Sequence, residues 1–545
     1  MKAKLIILIF VLCALTRVDY GILSASTKIG SIYYELDPST STAVVVKNPS
    51  KYSGSISIPS SVTYNSKTYS VTTIGAGAFQ ACNALTSVSI PNSIKEIKGW
   101  AFYRCTSLTS ITLPASTDSI NLSLFEECPA LTAINVNSSN SKYRSIDGVL
   151  FNKAGTKIIL YPGGKPGVYT LPDNVTLEIG AFRECYQMTG FNVSSTNPNY
   201  SVEDGVLFNK DKTTLIRYPI GKIGTSYSVP TGVKIIAPYA FKCCSALLSV
   251  SLNNDLRTME GFIFQYCTGL TSISIPDSLS NLGVTVFYGC SGLTSIDIPD
   301  GVTFLKNDLC GNCSNLSTVI INKNVNRIEG HTFRANPSLS TIYNLAEIPQ
   351  QISDSVFKGV DKSSCTLYVP EGSIPLYQAA NEWKDFIIQA LPKYTITWKQ
   401  DDGTTIDQSS AEYGQTPTHA DPTKPADAEY TYTFAGWTPS VSAVTGDQTY
   451  TATYTAIPRD YTILVKSQDD STIVDGQYPY GTVLKVLAEP DNCFEFSRWS
   501  DGNTDNPRTI IVTGDATYTA EFGKLKYTII TESDNPSQGS TTVSK

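Results

Sequence analysis

Apolar residues recur along this chain on a fixed beat. In Leu85-Thr86-Ser87-Val88-Ser89-Ile90-Pro91 the last two aliphatics alternate with hydroxyl residues, and Leu108-Thr109-Ser110-Ile111-Thr112-Leu113-Pro114 repeats the pattern 23 residues later. Leu131, Leu247, Leu270, Leu293, Leu316 and Leu339 open further copies. Alternation over so few residues predicts a short, half-buried strand. The proline, which has no N–H, ends its pairing. Two more aliphatics follow, Ile94 and Ile97 in the first copy, then a small residue and a phenylalanine that close the unit. Phe79, Phe102, Phe125, Phe182, Phe241, Phe264 and Phe287 hold this closing place. Three residues after each stands a cysteine: Cys82, Cys105, Cys128, Cys185, Cys244, Cys267 and Cys290. At the next beat Cys310 takes the phenylalanine place ahead of Cys313, and then Phe333 returns with Asn336 in the cysteine place.

A repeat of this length means a solenoid, because one coil cannot bury its apolar face alone and stacked coils can. Stacking in register sets each strand beside its copy. The expected fold is mainly β, a solenoid with one long parallel sheet of 23-residue coils. Such a surface suits display and binding more than it suits a pocket for chemistry. Period, proline, Ala-Phe and cysteine together resemble the BspA-type (Treponema-like) leucine-rich repeats of bacterial and protozoan surface proteins, over roughly residues 74–370.

Two gaps in the beat hold matching inserts. Ser145-Ile146-Asp147-Gly148-Val149-Leu150-Phe151-Asn152-Lys153 returns as Ser201-Val202-Glu203-Asp204-Gly205-Val206-Leu207-Phe208-Asn209-Lys210. Asp-Gly suits a tight turn, so each insert, residues 141–175 and 198–233, is expected to be a β-hairpin added to a coil. The same insert is familiar in BspA-like proteins. Their tyrosines Tyr143, Tyr161, Tyr200 and Tyr218 are candidate partner-binding residues on one shared patch, and Tyr103, Tyr186, Tyr266 and Tyr288 sit in the outer loops. The outward strand positions are Ser and Thr, a flat polar ladder with few of the Trp, Tyr and Arg side chains that carry binding energy. Residues 27–73 read as an atypical first coil capping the solenoid, and the repeats with their C-terminal cap fill residues 74–392.

The tail changes period. Tyr394-Thr395-Ile396-Thr397 matches Tyr461-Thr462-Ile463-Leu464, and Tyr527-Thr528-Ile529-Ile530 starts a third copy. Phe434-Ala435-Gly436-Trp437 matches Phe496-Ser497-Arg498-Trp499. Alternating Thr, Tyr and Val with Gly/Asp turns predict small all-β modules at residues 393–456 and 457–523, with an incomplete third at 524–545. They resemble the divergent form of the internalin B-repeat, a family whose modules behave as stalks and sometimes bind partners.

Charge and cysteine chemistry narrow the function. The formal charge is −7 with 16% charged residues and no basic cluster, which argues against a nucleic-acid partner. Met1-Lys2-Ala3-Lys4 followed by the apolar run Leu5 to Leu15 reads as a secretory signal over residues 1–26, too short to span a bilayer permanently. Secretion favours disulfides. Stacked cysteines, however, stand about 4.8 Å apart and point the same way, whereas a disulfide wants Cβ atoms about 3.8 Å apart and turned toward each other. The cysteine row is therefore read as buried free thiols acting as small hydrophobes. Cys243, Cys310, Cys365 and Cys493 lie off the cysteine beat.

No Ser-His-Asp set, P-loop or dinucleotide fingerprint is present. His331 holds the repeat place of Trp100 and Tyr239, and His419 lies in a Pro-rich loop and is read as solvated. Asp401-Asp402 and Asp469-Asp470 are read as hairpin turns. The chain is expected to be no enzyme, to need no cofactor or metal, and to be a monomer without an integral membrane span. The resemblance implies a secreted bacterial surface protein whose solenoid binds an extracellular protein, with the tail modules as a stalk; a glycan ligand is the alternative.

Overall fold

The computed structural model describes residues 26–528 and divides into two compact units, residues 1–391 and 392–545. The signal-peptide reading, except its last position, and the third module from residue 529 onward lie outside the described residues.

Most coils of the first unit carry a second, shorter strand where alternation predicts one. The first ladder holds the predicted strands, paired in parallel with their copies: Ile111 faces Ile134, Ile296 faces Val319 and Val319 faces Ile342, each 23 residues on. The second ladder is built of short pieces such as Glu96–Ile97, Ser119–Ile120, Ile235–Ile236 and Thr258–Met259. Two residues are too few for alternation to show. These strands exist because stacking brings Thr73 beside Glu96 and Glu96 beside Ser119. Upstream, Thr27–Ile29, Ile32–Asp37 and Thr42–Val46 form an antiparallel meander whose last strand joins the second ladder beside Lys67–Ile74.

The phenylalanine place closes each coil and fills the core. Phe79, Phe102, Phe241, Phe264, Phe287 and Phe333 have no exposed surface. Their rings stack along the solenoid, with centroids 5.1 Å apart for Phe79 and Phe102, 5.0 Å for Phe241 and Phe264, and 5.6 Å for Phe264 and Phe287. Each such pair adds about 0.5–1.5 kcal/mol beyond its burial. Backbone bonds repeat with the rings: Phe79 N donates to Ala101 O, Phe241 N to Ile263 O and Phe264 N to Val286 O, at 2.8–3.0 Å. They hold bulky residues two places earlier in the left-handed region, Tyr239 at φ 64° and Phe262 at φ 63°. Non-glycine residues take that region only where surroundings over-determine them. Here Tyr239 N and Phe262 N each donate to the next coil.

The cysteine place is a hydrogen-bonding place as well as an apolar one. The Sγ of Cys105, Cys128, Cys267, Cys290 and Cys313 donates to the carbonyl of the phenylalanine one coil earlier, at 3.0–3.1 Å. Asn336, the departure from the pattern, does the same through its amide, Nδ2 to Cys310 O at 2.9 Å. Every cysteine from Cys82 to Cys493 is a free thiol, and all on the beat are buried. Burial pushes the thiols up, Cys128, Cys185, Cys244 and Cys313 to about 12.

The inserts are smaller than expected. Tyr143–Ile146 pairs with Val149–Asn152 in a hairpin, and Tyr200–Glu203 with Val206–Asn209. The next strand, Lys157–Leu160 or Thr214–Arg217, pairs back on the hairpin but also belongs to the second ladder, parallel to Thr176–Leu177 or Ile235–Ile236. Residues 157–175 and 214–233 are therefore coils in their own right. The recurring motif residues serve this join. Gly148 and Gly205, at φ 74° and 73°, offer carbonyls to Ile134 N and Phe191 N. Asp147 and Asp204 pair with Lys165 and Lys222, both at 3.0 Å.

At the far end Trp383, Phe386 and Phe357 close the ring stack, beside the helix Ile374–Ala379. In the second unit two modules share one strand order. Thr405–Glu412, Lys393–Lys399, Gln448–Pro458 and Tyr430–Thr438 form the first sheet, and Thr472–Pro479, Asp460–Ser467, Ala516–Lys524 and Phe494–Trp499 the second. The last strand of the first module runs two residues past the expected boundary at 456. His419, read as solvated, packs its ring 5.0 Å from Trp398 and 5.4 Å from Trp437, because the Pro-rich loop folds onto the module core. Asp402 and Asp469 accept from Thr404 and Ser471 in the hairpin turns.

Candidate recognition surfaces

The four insert tyrosines do not form an outward patch. Tyr161 and Tyr218 are 4% and 2% exposed. Each stands in the phenylalanine place of its coil: Tyr161 N donates to Ala181 O and Tyr218 N to Ala240 O, as Phe79 N does to Ala101 O. Their rings lie 5.4 Å from Phe182 and Phe241 respectively, in two separate clusters with Tyr169 and Tyr227. The correction was legible, since Tyr218 lies 23 residues before Phe241, on the beat. Tyr143 and Tyr200 are half-buried and pack against the core beside their hairpins.

What the insert coils lack is the Phe-x-x-Cys closing turn. They pass through as Tyr-Pro followed by a near-bare backbone. A Cβ on Gly163 would lie 2.8 Å from Glu184 O and 3.2 Å from Cys128 O, and one on Gly221 2.9 Å from Met188 O. Glycine is thus required where the backbone is wedged between neighbouring closing turns. Side chains from those turns reach over it. Arg183 pairs with Glu126 at 3.1 Å, and Lys242 with Glu184 at 2.7 Å, the latter pair almost fully buried. Glu184 also accepts from Glu127 N.

This bridging makes the closing-turn flank continuous across the inserts. Its outer edge carries tyrosine and arginine. Tyr103 Oη donates to Glu127 Oε1 at 2.7 Å, and Arg104 Nε to Glu127 Oε2 at 2.6 Å. Further along, the Tyr266 and Tyr288 rings meet edge to face at 5.7 Å, and Arg334 lies 5.4 Å over Tyr288 while pairing with Asp308 at 2.6 Å. Burial and, for Tyr103, the Glu127 carboxylate push the Tyr103 and Tyr266 phenols up, so both stay neutral donors at ordinary pH. The flank therefore presents fixed rings and hydroxyls already held by charged neighbours. The loop tyrosines stand at differing places beside the closing phenylalanines, and the shortened insert turns join the two halves of the flank that carries them.

The first-ladder face is different. It is lined by hydroxyls and amides, with shallow depressions of about 500 Å³ at Ser87, Ser89, Asn92, Thr112 and Asn137, and of about 280 Å³ at Ser249, Ser251, Asn254 and Ser272. Toward the C-terminal end the outward column turns apolar: Asp297 faces Ile320, Ile320 faces Tyr343, and Tyr343 stacks on Tyr368 at 5.0 Å. Among the described residues, no cluster of His, Cys, Asp and Glu is arranged to hold a metal ion, and no helix is long and apolar enough to cross a membrane.

Residues 53–163 and 234–364 match the BspA type leucine-rich repeat region in six copies. The chain carries a BspA-type leucine-rich repeat region. Residues 461–526 match the divergent InlB B-repeat domain, so the chain carries such a module C-terminal to its repeats. No curated protein matches the chain. Among solved structures it is similar to the pneumococcal vaccine antigen PcpA, with 23% identity over 68% of this chain and 99% of that one and a TM-score of 0.41. A leucine-rich cell surface protein from Faecalibacterium prausnitzii shares 26% identity over 58% of this chain and 94% of its own, with a TM-score of 0.34. A leucine-rich repeat protein from Eubacterium ventriosum shares 19% over 67% and 92%, also at 0.34.

Proposed function

We propose that this chain is a secreted, surface-displayed recognition protein of a bacterium. Its solenoid holds a macromolecular partner, a protein of a host matrix or of another microbial surface, and its tail modules space the solenoid from the envelope. The observation that carries the reading is the closing-turn flank with Tyr103, Arg104, Tyr266, Tyr288 and Arg334. Tyr and Arg are the side chains that concentrate binding energy, and here salt bridges and ring contacts have already fixed much of their freedom, which lowers the entropy lost on binding. A stalk role is supported by contact between the modules: Tyr461 Oη of the second donates to Ala428 O of the first at 2.8 Å.

The test is capture of matrix and microbial surface proteins on the whole chain, followed by two variants. Tyr266→Ser/Tyr288→Ser/Arg334→Ser should abolish capture, and Thr109→Lys/Thr271→Lys/Thr294→Lys on the ladder face should leave it intact. The reverse result moves recognition to the ladder. A glycan ligand is the second reading, favoured by the hydroxyl- and amide-lined depression at Ser87, Asn92 and Asn137. A polysaccharide array separates it from the first, since only the ladder variant would lose glycan binding.

A further inference from the structure

The second insert coil holds a buried cation that its sister coil lacks. Four residues separate Ile236 from Phe241 in an ordinary coil, but only Ile216 and Arg217 separate Leu215 from Tyr218. The missing residues leave a cleft of about 220 Å³ between one closing turn at Ile179 and Gly180 and the next at Pro238 and Tyr239, with Ile216 and Arg217 also lining it. In the first insert coil the place of Arg217 is held by Leu160, which is 8% exposed. An apolar side chain therefore suffices to build this coil.

Arg217 is 2% exposed. Its guanidinium donates to Tyr239 O, to Arg183 O at 3.3 Å and to Lys242 O at 3.2 Å, and its Nε–H has no partner. Among the described residues no carboxylate pairs with it. The two nearby acids are committed elsewhere, Glu126 to Arg183 and Glu184 to Lys242. Both of those cations also lie against the Tyr239 ring, at 5.9 and 5.8 Å. A buried charge without a counter-charge is costly and is retained where something pairs with it. Carbonyls satisfy part of the fork and leave the positive charge uncompensated.

We propose that this cleft binds a small monocarboxylate with an apolar body. The carboxylate pairs with Arg217, in the planar arrangement a guanidinium favours, and the body lies against Ile179, Ile216 and Pro238. The inference does not rest on any macromolecular partner.

Titration calorimetry of the whole chain with phenylacetate and with 4-methylpentanoate tests it, with phenylacetamide as the uncharged control. Wild type should bind the acids saturably, and the amide at least about tenfold more weakly, as loss of a charged hydrogen bond requires. Arg217→Leu, copying Leu160 of the sister coil, should lose acid binding and melt no lower than wild type, since it removes an unpaired buried charge. Ile179→Asp, a change at a residue 61% exposed, should also lose acid binding by placing a like charge at the mouth. Absence of saturable binding up to roughly 10 mM, where affinity has fallen below about 3 kcal/mol, overturns the proposal. So does acid binding by Arg217→Leu or Ile179→Asp equal to wild type, or a lower melting point for Arg217→Leu, which would make the arginine a structural group.

Discussion

Cys290 separates two accounts of the thiol row. If the thiol is only a small hydrophobe, serine is the worse replacement and alanine the better, because a buried hydroxyl without a partner costs about 1–3 kcal/mol. If it is a donor, the order reverses. Cys290 has no exposed surface, and its Sγ lies 3.0 Å from Phe264 O, a carbonyl that Cys267 N also engages at 2.9 Å. Cys290→Ala loses the sulfur's contacts and one of two bonds to that carbonyl. The carbonyl keeps its other partner, so the bond term belongs at the low end, about 0.5–1.5 kcal/mol, and the lost apolar bulk adds about 1 kcal/mol. The expected total is about 2 kcal/mol. Cys290→Ser keeps a donor and should cost under about 1 kcal/mol. Burial holds the thiol protonated well above its ordinary range, so the donor persists at every ordinary pH. The assay is hydrogen exchange followed by mass spectrometry on peptides around residues 264–290, because damage in a solenoid is local. A difference of 1.4 kcal/mol is a tenfold change in local opening, so alanine should exchange several-fold to tenfold faster than serine. Slower exchange for alanine than for serine would refute the donor account.

The remaining expectations use the same chain of reasoning. Phe264→Ala removes a fully buried ring that stacks on both Phe241 and Phe287; the cost should be about 3–5 kcal/mol, seen as exchange accelerated at least about a hundredfold in those three coils and little elsewhere. Lys242→Met strands the buried Glu184 carboxylate and should cost about 3–5 kcal/mol in urea unfolding, while Lys242→Met/Glu184→Leu should recover most of it; equal loss in both variants would remove the pair from the account. The thiols keep their protons in the fold, Cys128, Cys185, Cys244 and Cys313 to about pH 12. Above about pH 9 the unfolded chain loses protons that the fold retains, so stability is full below that point and should fall as pH rises toward 12. A urea midpoint flat from pH 8 to 11 would contradict the burial of the row.

The sequence alone determined the coil, its period and its closing residues, because a core shared between identical neighbours leaves the same apolar places in every copy. Phe102, Phe264 and Cys267 could be assigned without coordinates, and so could the alternation that makes Leu85–Ser89 a strand. It also held the clue that Tyr218 is a closing residue, in its distance from Phe241. Stacking alone decided the rest. Glu96–Ile97 is a strand only because another coil lies on each side, and the thiol is a donor only because the coil before it presents a carbonyl at 3.0–3.1 Å. The tyrosines most conspicuous in the inserts are buried, and the closing-turn flank is continuous because two glycine turns let Glu126, Glu184 and Lys242 meet across coils up to 58 residues apart. Periodicity records what each coil shares with its neighbours. It cannot record what happens where coils differ, since side-chain encounters there depend on backbone that is missing between them.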